Sequence, residues 1–186
     1  MESSQVKIKI IVGLGNPDKK YENTYHNAGH LFIDFLTKNS KPKAKSSKTN
    51  VYMNESGKFI SKVAKKSGIK PESIMIVHDD SDILIGDYKI SFDRSSAGHK
   101  GIESIINALG TQKFWRLRIG IRPAQQTNAD LTQTNAEKFR QRKSAADFQV
   151  RISPRLKAEE FVLKKISASN KKILEGVFLK AVSDLS

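Results

Sequence analysis

The chain has 186 residues, enough for one domain with a sizeable core, and it carries 33 basic against 19 acidic residues, a formal charge of +14. With no cysteine it can hold no disulfide, no thiolate metal site and no Cys nucleophile. No apolar run reaches the ~20 residues that span a bilayer, and MESSQVKIKI lacks the apolar core of a signal peptide and the Arg-rich helix of a transit peptide. The expectation is a protein without membrane contact, cytoplasmic, or in the mitochondrial matrix or another organelle if a targeting segment lies outside this sequence. The positive charge points first to a polyanion, RNA or DNA being the usual one; a lysine-rich proteome is the bland alternative. Aromatic residues are 8% and are not interleaved with the basic runs, which argues against a single-strand stacking platform.

In chain order, residues 6–14 read as a strand broken at Gly13 and Gly15, and 27–37 as an amphipathic helix carrying Leu31, Phe32 and Phe35. Lys38 to Asn50 holds five lysines and no acid and reads as a loop. Asn54 to Lys66 has Phe59, Ile60, Val63 and Ala64 at helical spacing, with Gly68 as its stop. Ser73 to Val77 is a continuous apolar run, a strand buried on both faces that ends in His78-Asp79-Asp80. Tyr88 to Phe92 is a further strand and Ser95 to Gly98 a turn. Ile102, Ile105, Ile106 and Leu109 form one helical face that stops at Gly110, and Arg116 to Ile121 alternates in strand fashion. From Ala124 to Ala158 the composition turns to Gln, Asn and Thr and then basic, an insertion expected to be partly helical around residues 130–148. Residues 160–165 and 171–185 close the chain as one or two helices.

The chemistry-bearing residues gather where strands end. GLG at 13–15 lacks the third glycine and the later acid of a dinucleotide fingerprint, so those glycines read as a tight turn beside a ligand. Of the four histidines, His26 and His99 precede helices, His78 ends a strand, and His30, one turn beyond His26, reads as packing. No metal-ligand spacing appears among them. Asp79, Asp80 and Asp82 fit a divalent ion or a structural turn equally well. The sharper reading pairs Asp79 with His26, because a carboxylate on one ring nitrogen leaves the other to deprotonate water. Asn16 and Asn54 read as turn caps by themselves, but facing such a site each can offer donor and acceptor to a peptide bond or ribose.

Taken together, IVGLGNP at 11–17, Tyr21, TYHNAG at 24–29, YMNESGK at 52–58, IVHDDSD at 76–82, GHKGI at 98–102, LRIGIRP at 117–123 and FVLKKIS at 161–167 resemble the bacterial-type peptidyl-tRNA hydrolase family, which includes organellar members. The resemblance implies an α/β fold, a single domain over 1–186 with a mixed twisted β-sheet flanked by helices and a basic insertion at 124–158. It implies hydrolysis of the ester between peptide and tRNA, with no metal and no cofactor. Carried over by position, His26 is the general base and Asp79 its orienting partner. Asn16, Tyr21, Asn54 and Lys100 become substrate contacts, and Arg118, with Lys89 and Arg94, becomes the site for tRNA phosphate. The sequence departs from the pattern at Lys100, where the family has Asn, and at Tyr25, where it has Arg. The expected partner is peptidyl-tRNA, with the ribosome or ribosomal RNA as a further candidate, and a monomer is expected. The rival reading is a catalytically weak or inactive hydrolase-like RNA-binding protein acting as a ribosome-associated, assembly or splicing factor.

Overall fold

In the computed structural model of the protein, which describes residues 7–40, 42–123 and 161–185, strand β1 is Ile10–Gly13, buried at all four positions. Strands buried on both faces suit the interior of a parallel sheet, and β1 has parallel neighbours on both sides. β2 (Lys45–Lys48) pairs Ile10 with Lys45, and β3 (Ile74–Leu84) pairs Ile10 with Ile74. β5 (Trp115–Arg122) joins β3 in parallel, and β4 (Tyr88–Phe92) closes the far edge antiparallel to β5. The order β2-β1-β3-β5-β4 makes one mixed sheet, as the family resemblance implies.

Side chains of these strands alternate between two helical layers. Ile11, Met75, Val77, Leu117 and Ile119 face α1 (Ala28–Asn39) and α4 (Ala168–Asp184). Ile10, Val12, Ile74, Ile76 and Phe114 face α2 (Ser56–Ser67) and α3 (Lys100–Leu109). Gly68 and Gly110 end α2 and α3 in the left-handed conformation, where the sequence places their stops. Gly13 and Gly15 have no positive φ. A Cβ on Gly13 would lie 2.2 Å from the Gly29 carbonyl oxygen, so what the glycine permits is the close approach of α1 rather than a turn beside a ligand.

Beyond shifts of a few residues at helix ends, four segments differ from the sequence reading. β1 is shorter than 6–14. The lysine-rich stretch 38–50 contains β2, because the exposed edge of β1 takes a partner whose backbone pairs while its lysines stay in water. β3 does not end at Val77; its pairing with β5 carries it through His78, Asp79 and Asp80 to Leu84, with an irregularity between Asp80 and Leu84. The segment 162–167 is not helical. Its backbone bonds to residues 23–26 instead, His26 N–H to the Val162 carbonyl at 2.8 Å and Ile166 N–H to the Asn23 carbonyl at 2.8 Å. The 124–158 insertion, with its expected helix, lies outside the described residues.

Candidate active site

β1, β3 and β5 run parallel, so their carboxyl ends share one edge of the sheet, the usual place for a ligand in an open α/β fold. A cavity of about 560 Å³ opens there. Its polar side is made by Asn16, His26, Asn54, Asp79, Asp80, Asp82, His99 and Lys100, and Tyr21, Tyr52, Met53, Val162 and Leu163 contribute an apolar wall.

At its floor the Nδ1–H of His26 donates to the carboxylate of Asp79, at 2.9 Å to Oδ1 and 3.1 Å to Oδ2. This fixes the tautomer and leaves Nε2 as the basic nitrogen. Burial would lower the pKa of His26, but the charge of Asp79 and its hydrogen bond outweigh burial, and the net direction is upward; Lys100 pulls the other way. Burial would likewise raise Asp79, yet the charges of His26 and His99 and their hydrogen bonds hold its carboxyl well below the usual range. Asp79 is therefore an anion at any working pH.

His99 is the residue the sequence reading left without a role. Its Nδ1 accepts from the N–H groups of Gly101 and Ile102 at the start of α3, at 3.1 and 3.3 Å, so its proton sits on Nε2 and is donated to Asp79 Oδ1 at 3.1 Å. One carboxylate thus holds two imidazoles, whose rings stand 5.2 Å apart. The signal in the sequence was a histidine immediately before a helix, an N-cap position. His78 packs edge-on against His99 and donates to the Asp79 carbonyl at 2.7 Å. Burial and the neighbouring His99 push its pKa far down, which keeps the ring neutral. His26, Asp79 and His99 bring ligand atoms within 4.8 Å of one another, a geometry that could hold a metal ion. Both nitrogens facing the carboxylate, however, are committed as proton donors, so the trio reads as a hydrogen-bonded cluster.

Asn16, 8% exposed, follows β1, where its side-chain oxygen accepts from Met53 N–H at 2.8 Å and its backbone N–H is held by Asn27 at 2.9 Å. That leaves the amide Nδ2 for a substrate. Asn54 is exposed in the turn before α2, and its side chain has no hydrogen-bond partner among the described residues. Tyr21 lines the mouth, and Lys100 stands in the first turn of α3. Lys89, Arg94 and Arg118 lie beside the cavity and not in its wall. Lys89 is directly across the ladder from Arg118, whose Nε donates to Asp80 at 2.7 Å. Arg94 is in the rim loop, and its carbonyl, with that of Ser95, accepts from the buried guanidinium of Arg116. Tyr25 is buried against Phe161 with ring centroids 4.6 Å apart, so this departure from the family pattern helps dock the segment that holds the His26 backbone. His30 is confined by Thr49, its Nε2 3.1 Å from the hydroxyl, and takes no part in the cavity.

Residues 10–147 match the family model described as peptidyl-tRNA hydrolase. The match runs into the 124–158 segment, which the sequence reading set outside the family pattern. The peptidyl-tRNA hydrolase of Lactobacillus gasseri is 42% identical over 137 residues, covering 63% of this chain and 74% of that protein. That of a Sulfurihydrogenibium species is 36% identical over 180 residues, covering 87% and 86%. The crystal structure of peptidyl-tRNA hydrolase from Acinetobacter baumannii superposes with a TM-score of 0.70 at 25% identity, covering 97% of this chain and 87% of that one.

Proposed function

We propose that this chain, which belongs to the peptidyl-tRNA hydrolase family, hydrolyses the ester that joins a peptide to the terminal ribose of tRNA, releasing tRNA for reuse in translation. The observation that carries the reading is the His26–Asp79 pair, ordered at 2.9 Å on the floor of an open cavity. His26 Nε2 takes a proton from water as the water oxygen attacks the ester carbonyl. The carbonyl oxygen becomes an oxyanion, and collapse breaks the bond to the ribose oxygen, which leaves with the proton held by His26. Asp79 fixes the imidazole and offsets its positive charge. His99 holds the other side of that carboxylate.

In this reading Asn16, through Nδ2, and Asn54 hold the peptide and the terminal adenosine, Tyr21 packs at the mouth, and Lys100 donates to substrate oxygen. Lys89, Arg94 and Arg118 take phosphate, with Arg118 exchanging Asp80 for it. The protein works as a monomer in the compartment where translation runs, and the base is a histidine that needs no metal. A scaffold that had lost its chemistry would have no use for a buried carboxylate held by two histidines, and burying such a group is costly unless it is fully paired.

The test is single-turnover hydrolysis of a labelled N-acyl-aminoacyl-tRNA, with free tRNA and acyl-amino acid as expected products. Tight tRNA binding without cleavage would overturn the enzymatic reading.

A further inference from the structure

The solvent face of α2 carries one sign of charge. Lys58, Lys62, Lys65 and Lys66 are exposed, opposite the buried Ser56, Gly57, Ile60 and Ala64, and Lys70 follows just past the helix. No acid occurs from Ser56 to Pro71; Glu55, one residue before the helix, pairs with Lys58 at 2.9 Å. Like charges three and four residues apart repel on a helix surface, and Lys62 has such neighbours at Lys58, Lys65 and Lys66. The other described helices avoid this. Asp34 on α1 pairs with Lys48, and α4 intersperses Glu175 and Asp184 among Lys171, Lys172 and Lys180. A face that disfavours its own helix is relieved when a polyanion lies on it.

The helix also starts at the site. Asn54, which lines the cavity, lies in the turn leading into α2. Lys58, Lys62 and Lys66 then step away from it at four-residue intervals, about 6 Å per step. Lysines used this way are point charges that grip phosphate without reading bases.

We propose that the lysine face of α2 is a backbone track for the tRNA body, engaged while the ester sits in the cavity. The proposal rests on the hydrolase reading for its substrate but concerns a surface outside the cavity. The matched experiment compares two triple variants that lose the same charge, Lys62→Gln/Lys65→Gln/Lys66→Gln on α2 and Lys171→Gln/Lys172→Gln/Lys180→Gln on α4. For the α2 variant we expect KM for N-acyl-aminoacyl-tRNA to rise roughly three- to thirtyfold at low salt with kcat unchanged. The slope of log affinity against log salt should become shallower by about 2 to 3. The α4 variant should keep the wild-type slope. On an N-acyl-aminoacyl-adenosine, which has no tRNA body, all three proteins should have the same KM. Relief of repulsion predicts a melting temperature for the α2 variant no lower than wild type.

Equal losses in both variants would reduce the effect to net charge, and no loss in the α2 variant would make the row a solvated face; either overturns the track. If wild type cleaves nothing, titration with deacylated tRNA still compares the two slopes, so the track and the hydrolase reading fail separately. Unchanged RNA binding with capture of an acidic protein by α2 would also overturn it.

Discussion

Ile74–Val77 and His78–Asp79 are consecutive stretches of one strand, both 3% exposed or less, yet they do opposite things to the protein. The first four residues place apolar side chains alternately into the two cores, and each buried side chain contributes about 1.5–3 kcal/mol relative to exposure. The next two place an imidazole and a carboxylate in the same dry interior, where an unpaired polar group costs about 1–3 kcal/mol and a charge more. Asp79 is compensated by His26 and His99, whereas the Nε2 of His78 is buried without a hydrogen-bond partner among the described residues. Backbone pairing with β5 is shared by both stretches. The difference teaches that β3 holds its fold with its first half and uses that rigidity to fix a costly second half where the chemistry is.

If that division is right, changes in the second half and its partners should alter rate with little effect on folding. The largest expected effect is His26→Ala, which should lower single-turnover cleavage by roughly 10²–10⁴-fold, the range of a lost general base. Asp79 keeps His99 as a partner, so the melting temperature should shift by only a few degrees and tRNA binding should remain. Turnover within a few-fold of wild type would take His26 out of the mechanism. The converse change is Ile76→Ala, at a residue fully buried against α2 and α3. It should cost about 2–5 kcal/mol in denaturant unfolding while leaving kcat of the folded fraction near wild type; a drop in kcat without loss of stability would break the comparison.

The fourth histidine, His30, tests the stability side by pH. Burial, and then the charge of Lys48, lower His30 to about 4 from the ordinary 6.5. Between those values the unfolded chain binds a proton that the folded one refuses. Its contribution is therefore complete above pH 6.5 and is lost as pH falls toward about 4. His30→Gln should flatten the stability curve across that window by roughly 1–3 kcal/mol, read from chemical melts at stepped pH. An unchanged slope would assign the acid loss to His78, whose pKa is also depressed.

Much of this was legible in the sequence, for identifiable reasons. Ile74 to Val77 announced itself as a buried strand because nothing polar interrupts it, and α2 and α3 because their apolar spacing ends at a glycine. The continuation of β3 through His78-Asp79-Asp80 was not legible, since polar residues at a strand's end look like a loop until β5 is seen to pair with them. β2 was hidden for a related reason: KSSK has no apolar side, and only the open edge of β1 makes it a strand. In the site, His26 and Asp79 could be matched by motif. The role of His99 required knowing that α3 begins on its ring and that Asp79 lies within 3.1 Å of its other nitrogen.

The smallest effect concerns Lys100, where this chain departs from its family. Burial lowers His26, Asp79 more than restores it, and the ammonium of Lys100 opposes protonation from the α3 side of the cavity. The other groups facing the ring are His99, hydrogen-bonded to Asp79, with Asp80 and Asp82 farther along β3 in the same wall. Lys100→Asn removes a positive charge, so His26 should hold its proton to higher pH and the acid limb of kcat/KM should move up. An exposed charge acting across a wet cavity is worth roughly half a unit to one unit at low salt, a three- to tenfold loss on the acid side. Lys100→Arg, which keeps the charge, should leave the limb in place. Raising salt should move the wild-type limb toward that of Lys100→Asn. A lower plateau in the Asn variant would report a lost substrate contact, but the position of the limb reports charge alone. If the limb stays put in every variant, Lys100 serves the substrate and not the base, and the second half of β3 sets the proton affinity of His26 by itself.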